Sequence, residues 1–174
     1  LLDNTLLDIN KFQWIIFSSS NGVNFLEKRL IDKGSSLRHY SGKVKFAVVG
    51  NKTSESLDSL GIKADFIPPH FVAESLLENF PFSQVKERIL LPRVQSGGRN
   101  IIAEKLRERG AIVDEVATYE SRCPTTMPKE TVKAFKDGII DAIIFSSGKT
   151  VFNSAFLMEK YFGNKWFSMI DNIS

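Results

Sequence analysis

The chain has 174 residues, 43% hydrophobic and 25% charged, with a net charge of +3 and a pI near 9.0. That balance suits a globular protein with a real core and room for one to two domains, and no apolar run approaches the ~20 residues of a membrane-spanning helix. The lone Cys123 excludes a disulfide framework or a thiolate metal site. His39 and His70 lack ligand spacing, and there is no dense basic stripe with interleaved aromatics for nucleic acid.

Residues 2–10 predict a short helix packed beneath an α/β lobe. Trp14-Ile15-Ile16-Phe17 reads as a buried strand, stopped by Ser18-Ser19-Ser20-Asn21-Gly22. An amphipathic helix comes next, with Val23, Leu26, Leu30 and Ile31 at helical spacing. Phe46-Ala47-Val48-Val49 is the next strand and ends at Gly50. Thr53 and Ser54 open a helix carrying Leu57 and Leu60, and Gly61 suits its end. A short strand over 64–67 breaks at Pro68-Pro69, and residues 72–79 read as a helix. Arg88-Ile89-Leu90-Leu91 is a strand ended by Pro92. Ser96-Gly97-Gly98 then leads into a helix through Ile101, Ile102, Leu106 and Arg109, closed by Gly110. Residues 112–119 make the fifth strand. Strands apolar on both faces, each followed by a helix, predict the lobe's architecture: a flavodoxin-like parallel five-stranded sheet with helices on both faces, over residues 1–120.

Residues 121–127 read as a linker, because Cys123-Pro124 and Met127-Pro128 both interrupt regular structure. Pro128 suits the first turn of a helix ending near Gly138. The pattern then restarts. Ile15-Ile16-Phe17-Ser18-Ser19 recurs as Ile143-Ile144-Phe145-Ser146-Ser147, a displacement of 128 residues that also carries Val23 onto Val151. Two similar lobes are one explanation, with residues 128–174 forming part of the second; chance likeness between two buried strands is the other. The same displacement carries Phe46 onto Ser174, and the first residue is not Met. The expectation is a chain that begins inside a longer product and stops partway through a lobe. No basic stretch or cleavage site opens it, which points to a cytoplasmic protein, in a bacterial cytosol or a plastid stroma.

In an open parallel sheet the ligand crevice lies at the carboxyl ends of the strands. Four such ends carry small hydroxyl or glycine residues at a helix start: Ser18-Ser19-Ser20-Asn21, Gly50-Asn51-Lys52-Thr53-Ser54, the stretch from Arg93 to Arg99, and Ser146-Ser147-Gly148. Each alone fits simple N-capping; together they also fit a site for a polyanion. No P-loop follows Gly97-Gly98, no G-x-G-x-x-G follows the first strand, and no Ser/His/Asp or Cys/His set is present. Chemistry here would rely on positioning and preorganised dipoles. Tyr119 closes the fifth strand, either as a core or edge tyrosine or as a phenol facing a cleft.

The stretches FQWIIFSSSNGV, VVGNKTSESLDSLG, ILLPRVQSGGRNIIAEKLRERGAIVDEVATYES and DAIIFSSGKTV, in this order, resemble the uroporphyrinogen-III synthase family. The resemblance implies two α/β lobes joined by a connector, one inserted into the other, with residues 1–120 as the inserted lobe. It implies a lyase of tetrapyrrole biosynthesis that closes hydroxymethylbilane into uroporphyrinogen III, as a monomer and with no metal or organic cofactor. It implies a catalytic role for Tyr119 in assisting hydroxyl departure, and substrate binding by Ser19, Thr53, Arg93, Arg99 and Ser146 or Ser147; the strand-end pattern adds Ser20, Asn21, Gly50, Asn51 and Ser54 as candidate substrate-binding residues. Ser18 and Gly22 depart from the commoner Thr and Ala of the family's first strand end. On this reading the 174 residues alone are expected to be inactive. The rival expectations are a non-catalytic, bilobal small-molecule binding module, and an interaction domain of receiver type, which would need clustered acids at a strand end.

Overall fold

The computed structural model describes residues 2–82, 86–95, 101–120, 122–171 and 173, in two units, Leu1–Ser121 and Arg122–Ser174. In the first unit, α1 (Leu2–Leu7) precedes β1 (Trp14–Phe17), α2 (Ser20–Ile31), β2 (Lys45–Val48) and α3 (Asn51–Asp58). Then come α4 (Ala73–Asn79), β3 (Arg88–Val94), α5 (Ile101–Glu108) and β4 (Ile112–Tyr119). The four strands run parallel in the order β2-β1-β3-β4.

All of β1 is buried because both faces of the sheet are covered. Ile15 and Phe17 join one apolar cluster with Val23, Leu26 and Leu30 of α2 and Leu57 of α3. Trp14 and Ile16 join a second, with Leu76 of α4 and Ile102, Ala103 and Leu106 of α5. The leading helix sits under the first cluster through Leu6, and Asp3 on it holds Arg29 of α2, Nε to Oδ1 at 2.7 Å. Ile31, read as part of the α2 apolar stripe, is exposed.

The sheet has four strands, where five were expected. Residues 64–67 reach β2 through a single bridge, Phe66 to Ala47. Asp65 uses its side chain as well as its backbone there, accepting the Phe46 amide at 2.8 Å. Pro68 and Pro69 come immediately after and have no N–H to extend a ladder. A second correction concerns Pro92, which does not end β3: the strand continues to Val94. The β1 pairing stops at Ile15–Leu90, whereas β4 stays paired through Pro92–Val116 and beyond. Past Leu90 the strand therefore has one partner, and a proline is tolerated as it is on an edge.

In the second unit α6 (Lys129–Asp137) is closed by Gly138, whose left-handed φ of 64° suits glycine, and α7 (Gly148–Phe162) and α8 (Trp166–Ile170) complete it. Residues 122–127 lie against α7: the Met127 amide donates to the Tyr161 hydroxyl at 3.0 Å and Lys160 Nζ to the Thr125 carbonyl at 2.6 Å. The expected strand over Ile143-Ile144-Phe145 is not formed, and Ile144 is 94% exposed. A strand exists only through its neighbours' hydrogen bonds, and no other strand occurs among the described residues of this unit.

Candidate functional site

The site is built where parallel strands deliver their chains to helix starts. Ser19 leaves β1 in an extended conformation and caps α2, its Oγ accepting the Gly22 amide at 3.2 Å. Ser20 Oγ donates to the Lys52 carbonyl at 2.9 Å, tying the start of α2 to that of α3. At α3 the cap is Gly50, and its carbonyl accepts the amides of Thr53 and Ser54 at 3.0 and 3.1 Å. The Thr53 and Ser54 side chains are buried, while Asn51 is exposed and donates to Glu55 Oε1 at 2.8 Å. In each helix the first amides, those of Ser20, Asn21, Asn51 and Lys52, have no intrahelical acceptor. Such groups attract anions.

Tyr119 reaches this rim from two strands away. Along β4, Val113 faces the α5 cluster and Val116 the α2 cluster, so strict alternation would turn position 119 towards α5. The register slips after Arg93–Ala117, and Val94 pairs with Tyr119. This bulge supplies one extra residue, braced by Thr118 Oγ1 on the Arg93 carbonyl at 3.3 Å, and turns the phenol to the α2 side. There the ring stacks on Phe25 with centroids 5.3 Å apart and planes 13° apart, and its oxygen lies 3.2 Å from Ser19 Oγ. Ser19, Ser20, Asn21, Gly50, Asn51, Thr53, Ser54 and Tyr119 thus share one rim, at the carboxyl ends of β1, β2 and β4. The strand order reverses between β1 and β3, the position where open α/β sheets form a crevice.

Arg93 is directed elsewhere. Its guanidinium pairs with Glu115, which also takes Arg107 of α5 at 2.9 Å, so the Arg93 side chain lies on the α5 face. Arg99, with Ser96, Gly97 and Gly98, lies outside the described residues. In the second unit Ser146 and Ser147 are both exposed. Ser147 caps α7 by accepting the Thr150 amide at 3.4 Å, while Thr150 Oγ1 accepts the Ser147 amide at 3.2 Å. The cap pairs Ser19–Gly22 and Ser147–Thr150 are separated by the same 128 residues as the repeat, so the repeat extends to cap geometry. Among the described residues no three His, Cys, Asp or Glu gather as a metal site, and no helix is long and apolar enough to cross a membrane.

Sequence reasoning missed Phe25 and Glu115. Phe25 had a legible signal: an aromatic on α2 off the Val23–Leu26–Leu30 stripe, left exposed with nothing in the core to pack on. For Glu115 the signal was a pair of adjacent acids, Asp114 and Glu115, inside a strand whose Val113 and Val116 are buried.

The family model for uroporphyrinogen-III synthase HemD matches residues 1–170. The chain belongs to the uroporphyrinogen-III synthase family. The uroporphyrinogen-III synthase of Synechococcus elongatus is 40% identical over 173 residues, covering 99% of this chain and 65% of the relative. A putative uroporphyrinogen-III synthase of Methanothermobacter thermautotrophicus is 29% identical over 151 residues, 83% of this chain and 56% of that protein. The chain therefore spans somewhat less than two thirds of the length of these relatives. In fold it is similar to the crystal structure of uroporphyrinogen III synthase from Thermus thermophilus, with a TM-score of 0.60 at 18% identity over 99% of this chain and 66% of the other. The enzyme structure from Helicobacter pylori gives 0.61 at 17% identity, over 86% and 64%. Within this synthase-family chain, a Cβ built on Gly22 would lie 3.5 Å from Phe17 Cδ1 and the Pro92 carbonyl and 3.6 Å from Ser19 Oγ, ordinary contact distances. Glycine at position 22 is therefore not a steric requirement.

Proposed function

We propose that the protein is a uroporphyrinogen-III synthase, a cytoplasmic lyase that closes hydroxymethylbilane into uroporphyrinogen III with inversion of the terminal ring and loss of water. The observation that supports this most is the Tyr119 phenol beside the capped start of α2, on a rim where the amide-rich starts of two helices meet. The substrate is a flexible chain of pyrroles bearing carboxylates. The amides of Ser20, Asn21, Asn51 and Lys52 favour such anions without a strong base nearby, while Thr53 and Ser54, whose side chains are buried at the start of α3, are proposed for the substrate from the resemblance alone. The backbone of Gly50 allows close approach, and Ser146 and Ser147 offer a second helix start of the same design in the other unit. Arg93 would serve a carboxylate only by giving up Glu115, and Arg99 is proposed from the resemblance alone.

In the reaction, Tyr119 donates its proton to the departing hydroxyl, the C–O bond breaks, and water leaves. Electrons from the adjacent pyrrole generate an azafulvene cation. Ring closure then passes through a spiro intermediate, and the proton released at the end returns to the phenolate, so the net loss is one water. On this reading residues 1–120 are the inserted lobe, 121–127 the connector, and 128–174 belong to the other lobe. No metal or organic cofactor is needed for these steps.

The test is to incubate the complete gene product with hydroxymethylbilane, oxidise the products and separate the isomers. The expected result is an excess of type III over the enzyme-free control. An unchanged ratio overturns the proposal, and binding of the bilane with that unchanged ratio identifies a binding module instead. Tyr119→Phe is expected to lower kcat about tenfold or more while leaving the thermal midpoint near the parent's, since the ring and its stacking remain.

A further inference from the structure

We propose that Ser19 is a positioning residue for Tyr119: its hydroxyl donates to the phenol oxygen, which aims the phenol proton outward into the crevice. The inference rests on the synthase reading for its catalytic meaning, though not for its geometry. A serine hydroxyl has one proton to donate and two lone pairs to accept with. One acceptor position on Ser19 Oγ is occupied by the Gly22 amide, at 3.2 Å. The other contact of the hydroxyl is the Tyr119 oxygen, also at 3.2 Å, and the heavy atoms allow donation in either direction. If Tyr119 donated to Ser19, its proton would be consumed inside the protein. If Ser19 donates, the phenol proton stays free for an oxygen outside, and the Ser19 proton supports the negative charge that grows on the phenol oxygen as it releases its own.

The rest of the arrangement fits this direction. The N–H donated by Gly22 places partial positive charge on Ser19 Oγ, which makes the hydroxyl a better donor to the phenol. The helix start behind Ser19 favours negative charge at the phenol for the same electrostatic reason. Phe25 stacks on the ring and the β4 bulge sets its face, so rotation of the phenol away from Ser19 is opposed from two sides. Ser19 thus serves the reacting group through Tyr119 rather than by touching the substrate itself. Capping alone would require only the Gly22 contact, and the Tyr119 contact is not part of a cap.

The test separates the two contacts. Ser19→Asp keeps the cap, because an aspartate oxygen accepts the Gly22 amide as well as serine does. It carries no proton to donate, so it must accept the phenol's, and it sets a negative charge beside any phenolate. Ser19→Thr keeps both cap and donor. The readout is the ultraviolet band of tyrosinate as pH is raised, taken as the difference from the same protein carrying Tyr119→Phe to remove Tyr40 and Tyr161. Charged groups on the flanking elements are common to every variant: Arg93 held by Glu115, and Glu27 held by the Leu37 amide at 2.7 Å.

The Tyr119 band is expected at clearly higher pH in Ser19→Asp than in the parent, and near the parent's in Ser19→Thr. In the complete gene product, kcat for Ser19→Asp is expected to fall about tenfold or more with KM within about twofold, and Ser19→Thr to recover most of it. A band that does not move in Ser19→Asp overturns the proposal, as does a band displaced equally in Ser19→Thr. If the band moves as stated but the parent makes no type III isomer, the hydrogen bond stands and the synthase reading fails. Should Ser19→Asp not fold, Ser19→Ala removes the donor without adding charge. The same upward displacement, smaller, is then required.

Discussion

At the residue scale, the site depends on one irregularity in β4. Without the slip between Arg93 and Val94, Tyr119 would share a face with Val113 and Glu115 and would point at α5. The phenol meets Ser19 and Phe25 only because an extra residue turns it through the sheet. Gly22 is a different kind of residue, present without a steric demand. An alanine there meets its neighbours at ordinary distance and reduces the freedom of the unfolded chain. Gly22→Ala is expected to stabilise the protein by up to about 1 kcal/mol, read as a higher denaturant midpoint with an unchanged slope. A lower midpoint would show that the capping turn cannot carry the methyl group.

At the element scale, the leading helix is held to the lobe by apolar burial and by one exposed ion-pair cluster. The hydrogen bond from Arg29 is the main cause holding the Asp3 carboxyl below its ordinary value, with Coulombic help from Arg29 and Lys33, and Arg29 is raised in return. A depressed carboxyl contributes stability above its unfolded-state range and loses it as pH falls through the folded value. The pair is solvent-exposed, so the effect is small. Thermal midpoints of the parent and of Asp3→Asn are expected to differ at neutral pH and to converge in acid, below the carboxylate range. A constant gap at all pH values would mean that Asp3 acts by packing alone. At the same scale β3 shows why a proline is a poor guide to strand ends: whether it stops a strand depends on how many partners remain at that point, and here one remains.

At the scale of the whole molecule, the two units differ in kind. The first buries apolar residues in two clusters on either side of a sheet. In the second, Met127 and Met158 are the buried hydrophobics among the described residues, while Ile144, Phe152 and Phe156 are exposed. An apolar cavity of about 680 Å³ lies between its helices, with Phe135, Ile143 and Trp166 in the lining. Amide protection tracks burial and strand pairing. Hydrogen exchange is expected to be slowest in β1 and β3 and faster throughout α6, α7 and α8. Protection in α7 equal to that of β1 would contradict this.

Short-range chemistry accounts for the part of this protein that was legible in its sequence. The run Trp14-Ile15-Ile16-Phe17, apolar at every position, fits a strand covered on both faces and forms one, and Ser19 and Ser147 before helical patterns are caps by their side-chain chemistry. The clustering of Ser19, Ser20, Gly50 and Thr53 at one rim came from parallel strands, because each must end at the same edge. Tertiary structure decided everything that depends on a partner far along the chain. Residues 64–67 are not a strand, because their ladder with β2 stops after one bridge. Arg93 turns to Glu115, and Tyr119 turns to Ser19, across 100 residues of sequence. The face a side chain takes is set by register between strands, and register is a property of the pairing.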